Sequence, residues 1–235
     1  MGALRVLSKD RRVYSISSDA APAYVVEPGE TFVVETQDAM DGQIPALGRC
    51  VAEVDASRAN PMTGPIAIAG ARPGQTVALQ ILEIAVDAQG WMSRSPVGIV
   101  NPIRHNLAEF VPGVVLPVRP MIGVLGVAPA QGSYTGRDAT PSGGNYDLQA
   151  YGAGATVFFR VQAPGALVVM GDVHALQADG ECSGTGIEIG ARITLRAHLL
   201  EEGLSAWPYF YRGGVLGTAP WRPTCATPAS WPWPR

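Results

Sequence analysis

Residues 171–188, GDVHALQADGECSGTGIE, bring Asp172, His174, Asp179, Glu181 and Glu188 into one short segment. The chain has three histidines and 16% charged residues, so ligand-type and acid/base side chains are concentrated here. Imidazole nitrogen and carboxylate oxygen together suit a divalent ion such as zinc. A carboxylate beside a bound water can also take a proton and deliver it to a departing amine. Asp172 and His174 are two apart, so on a strand they share a face. Asp38, in ETQDAMDGQ, ends a strand and opens a loop, which makes it a candidate third ligand. Glu181 and Glu188 are seven apart and would face opposite ways on an unbroken strand. Gly184 and Gly186 between them allow a bulge that re-aims one of the two. The same residues also fit a plainer reading: turn-forming Asp172 and Asp179, a satisfied core histidine, and a solvated Glu188.

Other reactive types carry less. His105, in NPIRHN, reads as solvent-facing and His198 as peripheral. Cys182 lacks the spaced Glu and Lys of a nitrilase-type nucleophile. Ser142 and Ser183 have only neighbouring glycines to recommend them. GGN and GAG lack the strand–loop–helix setting and the lysine of a phosphate loop.

The elements that must position the segment read as strands. Residues 166–170, ALVVM, form a buried strand leading into it. EPGETFVVET (27–36), RPGQTVALQI (72–81) and GAGATVFFRV (152–161) share a plan of glycine turn, threonine and apolar run. Further strands are expected over 12–17, 24–27 and 75–86. The Gly-interrupted run 120–129, PMIGVLGVAP, points to close backbone packing. Residues 131–146 read as a Gly-rich loop suited to binding. Helical periodicity is scarce; 38–47 is the best site for a helical turn or structured loop. Gly 28 and Pro 20 suit many turns between short strands. The fold expected is mainly β, with long loops and little helix.

At 235 residues and 47% apolar, the chain can build one large core. A net charge of −3 gives no footprint for nucleic acid or an anionic membrane. No run approaches the roughly eighteen apolar residues of a membrane span, and residues 1–15 lack a signal-peptide core. Cys50, Cys182 and Cys225 are odd in number and unpaired in spacing, as expected of reduced thiols in the cytoplasm. The composition changes at residue 207. The ending 207–235 holds four of the five tryptophans and six of the twenty prolines, and is expected to be an atypical tail on a domain spanning 1–206.

Five segments, taken in order, resemble the acetamidase/formamidase family of amide hydrolases. They are VEPGETFVVETQDAMDGQI (26–44), NPMTGPIAIAGARPGQTVALQILEI (60–84), RPMIGVLGVAPAQG (119–132), GGNYDLQAYGAGATVFFRVQAPGAL (143–167) and GDVHALQADGECSGTGIE (171–188). The resemblance implies a jelly-roll-like β-sandwich, a homo-oligomer, and metal-assisted hydrolysis of a small amide of formamide or acetamide type. The family pattern places Asp38 in its E-T-x-D-A piece, and Asn145 and Asp147 in G-G-N-x-D. Asp172, His174, Asp179 and Glu181 fall in G-D-x-H-A…D-G-E, and Glu188 in G-T-x-I-E. Ala178 stands where a glycine is usual and Tyr146 where a methionine is usual. After about Tyr209 the likeness stops.

The expectation is that Asp38, Asp172 and His174 hold a divalent ion, zinc first. Glu181 or Glu188 would move the proton, and Asn145 would donate to the developing oxyanion. Two other readings remain: a non-catalytic β-sandwich serving in binding or assembly, and a hydrolase of cyclic amides.

Overall fold

The computed structural model describes residues 4–44, 53–94, 97–181 and 184–218. Cys50, Cys182, Cys225, Ser183 and the ending 219–235 lie outside the described residues. No α-helix occurs among the described residues, where the 3-10 turn Ala56–Arg58 is found. No described helix is long and apolar enough to cross a membrane.

Two large sheets pack face to face. The seven-stranded sheet runs in the order Arg5–Leu7, Thr31–Thr36, Ala191–Leu200, Thr76–Val86, Thr156–Arg160, Tyr209–Arg212 and Val215–Thr218. Two of its strands, Thr156–Arg160 and Ala191–Leu200, alternate as half-buried strands do. In Ala191–Leu200, Ala191, Ile193, Leu195 and Ala197 point inward while Arg192, Arg196 and His198 point to solvent. This sheet continues past residue 206, because Thr156–Arg160 pairs with Tyr209–Arg212.

The twelve-stranded sheet is centred on Val168–His174, buried along its whole length. That strand pairs with Met121–Gly126, Met62–Ile68 and Glu188–Ile189. The proline-bearing residues 97–117 form Val97–Arg104, Leu107–Val111 and Val114–Pro117 at one edge. His105 and Asn106, both with positive φ, make the tight turn between the first two, with His105 exposed.

The core lies between the sheets. Phe32, Val34, Leu79, Ile81, Phe159, Ile193 and Leu195 meet Ile66, Ile68, Ile122, Leu125, Val168 and Met170 there. Each such side chain contributes about 1.5–3 kcal/mol on burial. A smaller cluster with Ile16, Met62, Val124, Tyr134 and Val169 covers the outer face of the twelve-stranded sheet.

The membership of these two clusters exposes a break in strand phase. Val168 and Met170 face the inter-sheet core and Val169 the outer cluster, yet Val173 faces the core again. An unbroken strand would put Val173 on the other side. Asp172 lies between, with φ 53°, a left-handed conformation that Asp and Asn tolerate better than most residues. The neighbouring strand shifts in step: Ile122 and Leu125 face the core while Val124 faces outward. Pairing therefore stays in register on both sides of Asp172. The shift turns His174 away from the apolar core that Met170 enters.

Candidate functional site

His174 ends its strand with 1% exposure, paired to Met121 on one side and Glu188 on the other. Its Nε2 lies 2.9 Å from Glu188 Oε2, 3.5 Å from Asp172 Oδ1 and 3.8 Å from Glu181 Oε1. Its Nδ1 lies 3.8 Å from Asp147 Oδ1 and contacts Gln177 Oε1. The ligand atoms of His174, Glu181 and Glu188 lie within 4.8 Å of one another, as do those of Asp147, Asp172 and His174.

Each carboxylate has a local reason for its place. Glu188 Oε1 accepts from Gly186 N at 3.1 Å and Thr185 Oγ1 at 3.2 Å, which leaves Oε2 to face the imidazole. Asp172 Oδ2 accepts from Asn60 Nδ2 at 2.9 Å, which leaves Oδ1 toward His174. Glu181 sits in a turn, not on a strand, with φ 39° and its amide bonded to Ala178 O. It is half-buried, and its carboxyl reaches the cluster from the loop side. Two glycines make the room. A Cβ on Gly123 would stand 2.6 Å from both Asp147 Oδ1 and the Asp172 carbonyl oxygen. A Cβ on Gly186 would stand 2.9 Å from the His174 ring.

Burial and mutual repulsion set the electrostatics. Burial, and then the charge of Asp172, push the Asp147 carboxyl up to about 7. Burial also raises Asp172 and Glu181, with His174 opposing in both. Burial pulls His174 down, but Glu188 and Asp172 outweigh it and hold the imidazole well above its ordinary value. So much negative charge around one ring nitrogen calls for a cation.

The donor set fits a divalent ion. His174 Nε2 and Glu188 Oε2 are buried, 2.9 Å apart and without a hydrogen bond, as is Asp147 Oδ1. Four ligand atoms 2.0–2.2 Å from a tetrahedral ion stand about 3.4 Å apart. The separations from Nε2, 2.9 to 3.8 Å, bracket that spacing. The cluster floors a cavity of about 290 Å³. Ala39, Met40 and Trp91 form one wall; Asn60, Arg137 and Asn145 also line it.

Of the sequence-derived site residues, the structure brings Asp172, His174, Glu181, Glu188 and Asn145 to this cavity. Asn145 lies on Gly143–Asn145 beside Met121–Gly126, with its buried side-chain oxygen unpartnered. Asp38 does not join either ligand group. Its carboxylate accepts from Met40 N and Gly42 N, each at 2.9 Å, and from Trp91 Nε1 at 3.1 Å. It braces the loop that supplies the Ala39–Met40 wall. Asp41 anchors the same loop: its buried carboxylate meets Arg12 Nε at 2.8 Å, Arg58 Nε at 2.9 Å and Tyr14 OH at 2.7 Å. Asp179 accepts from Gln149 N, away from the cavity. Ser142 is buried, its hydroxyl taken by Gln162. Sequence reasoning missed Asn60, Gln177 and Trp91. Gln177 lay inside the dense segment, three residues after His174, and only its type hid it.

A two-sheet sandwich carrying a buried imidazole ringed by carboxylates, at the floor of a small cavity, defines the class. The particular family follows from comparison. The acetamidase/formamidase family model matches residues 16–98 and 132–215, and the chain belongs to that family. A Schizosaccharomyces pombe protein assigned provisionally as a formamidase is 24% identical, covering 77% of this chain and 62% of that protein. The acetamidase of Mycolicibacterium smegmatis is 25% identical, covering 84% of this chain and 69% of that one. The chain thus spans less than two thirds of the first relative's length. The crystal structure of an acetamidase from Bacillus halodurans superposes with a TM-score of 0.85 at 31% identity, covering 88% of this chain and 74% of that chain.

Proposed function

We propose that this chain hydrolyses a small uncharged amide to a carboxylic acid and ammonia, using a divalent ion, zinc first, held by Asp172, His174 and Glu188. The observation that carries the reading is the convergence of carboxylate oxygens on the buried Nε2 of His174. Family membership supports the choice of an amide. One nitrogen among several oxygens favours zinc over magnesium, which prefers six oxygens.

When bound, such an ion supplies Lewis acidity toward an amide carbonyl and a nearby water. Glu188 and Asp172 are assigned as ligands because each has one oxygen fixed by hydrogen bonds and the other turned to His174. Glu181, on its turn, is assigned the proton transfer. As water oxygen adds to the carbonyl carbon, its proton passes to Glu181. The C–N bond then breaks as Glu181 returns that proton to nitrogen, and ammonia leaves. The Asn145 amide, which also lines the cavity, donates to the carbonyl oxygen as its charge develops. Ala39, Met40 and Trp91 leave space for an acyl group of few carbons.

The reading places the enzyme in the cytoplasm, supported by the unpaired cysteine spacing, with no nucleic-acid or membrane partner, supported by its charge of −3. It includes a homo-oligomer, supported by exposed Val114, Val115, Val215 and Leu216 on the outermost strands.

The test is metal analysis of protein purified without added metal, with ammonia release from formamide, acetamide and γ-butyrolactam. Bound zinc with release from the linear amides is expected. Release from the lactam alone would move the substrate class to cyclic amides. Folded protein with neither metal nor ammonia would reduce the chain to a binding module.

A further inference from the structure

We propose that Gln177 is the positioning residue that fixes the tautomer of His174 and so presents its Nε2 as a lone pair to the ion. The inference rests on the proposed metal reading for its use, though not for its geometry. The Gln177 side chain is buried and bridges two groups. Its Nε2 donates to the backbone oxygen of Asp147. A carbonyl can only accept, so this contact settles which end of the amide is nitrogen. The other end, Oε1, then faces His174 Nδ1. An amide oxygen can only accept, so Nδ1 must carry the hydrogen. In the neutral ring Nε2 is left bare, and it points at Glu188 Oε2 and Asp172 Oδ1. A lone pair aimed at carboxylates is the arrangement a cation requires. The opposite tautomer would place N–H where the ion binds.

The bridge is held from behind. Gln149 Nε2 donates to Gln177 O at 2.6 Å, and Gln149 N donates to Asp179 Oδ1 at 2.8 Å. Arg212, on Tyr209–Arg212, donates from Nη1 to Gln149 O at 2.7 Å. The seven-stranded sheet thereby reaches the imidazole of the other sheet through two glutamines. Gln177 touches neither substrate nor ion; it acts through His174.

The experiment is nitrogen NMR of the imidazoles in uniformly 15N-labelled, metal-free protein, recorded above the pH at which the His174 ring loses its second proton. His174→Ala assigns the signals. A pyrrole-like Nδ1 and pyridine-like Nε2 are expected in the wild type. In Gln177→Leu that preference should weaken or reverse, and zinc affinity by competition with a chromogenic chelator should fall about 10–100-fold. Gln177→Glu keeps an acceptor for Nδ1–H and should keep the Nδ1–H tautomer. A wild-type ring protonated on Nε2 overturns the proposal, with no variant needed. So does a folded Gln177→Leu whose nitrogen shifts and zinc affinity match wild type. If Gln177→Leu does not fold, the wild-type spectrum and Gln177→Glu decide. Failure of the metal reading shows separately, as wild-type protein with the expected tautomer that binds no zinc.

Discussion

His174 Nε2 and Glu188 Oε2 face each other across 2.9 Å on adjacent strands, both buried and neither hydrogen-bonded. With Nδ1 carrying the hydrogen, the pair in the neutral ring is two acceptors in contact, so either a second proton on Nε2 or a metal ion must lie between or beside them. Glu188→Gln keeps the shape and removes the charge. It should lower bound zinc well below one per chain and cut turnover at least a hundredfold, about 2.7 kcal/mol of transition-state stabilisation. Glu181→Gln should differ: zinc retained, turnover lost to a similar degree. Metal content and kcat on the same preparations separate the two roles, and equal zinc loss in both variants would merge them.

Asp38 supplies the opposite contrast. Its carboxylate is taken by Met40 N, Gly42 N and Trp91 Nε1, so its removal should loosen a wall and leave the ion in place. Asp38→Ala is expected to retain full zinc content, lower thermal stability and raise KM more than it lowers kcat. Loss of zinc in a folded Asp38→Ala protein would restore this residue to the ligand set.

Asp41 holds the same loop more firmly. Two guanidiniums and a tyrosine hydroxyl converge on a carboxylate with no exposed side-chain surface. Asp41→Ala should destabilise by about 3 kcal/mol, the low end for breaking a buried pair, since both arginines reach solvent. Denaturant unfolding measures it. A loss within about 0.5 kcal/mol, typical of surface substitutions, would show the clasp to be ornamental.

What the sequence disclosed followed its local periodicities. Thr31–Thr36 matches the expected strand, because a glycine turn marks its start and an apolar run forms its body. The pairing of Asp172 with His174 was legible from their spacing, yet the parity behind it was incomplete. The left-handed Asp172 shifts the strand's phase, and no local pattern signals that in a non-glycine residue. The strands between 97 and 117 were hidden by prolines that an edge region tolerates. Asp38 misled because a carboxylate at a strand end looks the same whether it binds an ion or three N–H groups. Gln177 and Asn60 were invisible because their roles depend on partners brought together by the fold.

The cluster also predicts a pH dependence. Asp147 rises from 3.8 to about 7 in the folded protein. The native state therefore keeps a proton that the unfolded chain releases near pH 4. This contribution to stability is complete below pH 3.8 and is lost as pH rises through about 7. His174, also raised, acts in the same direction. The melting temperature of metal-free protein should fall from about pH 4 to about pH 7, and Asp147→Asn should flatten part of that fall. Zinc-loaded protein should lack it, because the ion replaces the protons. Parallel melting curves for wild type and Asp147→Asn across this range would remove Asp147 from the titrating cluster.

Gly123 tests whether the phase shift and the site are one device. It stands opposite Asp172 where both central strands change face, and a Cβ there would come within 2.6 Å of Asp147 Oδ1 and the Asp172 carbonyl oxygen, and 3.0 Å of Asp172 Oδ2. The carbonyl belongs to a paired strand and cannot move without disturbing Val173 and His174. Gly123→Ala should therefore cost about 1–3 kcal/mol in overpacking. Because the displaced atoms are those that aim Asp172 at His174, zinc affinity should fall as well, by more than tenfold. Gly126, three residues along the same strand, is equally crowded, but by Tyr134 OH, Ser142 O and Gly144 N, away from the cluster. Gly126→Ala should lower stability by a comparable amount and leave zinc affinity within about twofold once folded protein is selected. Equal zinc affinities in the two variants would mean that the strand kink serves packing alone.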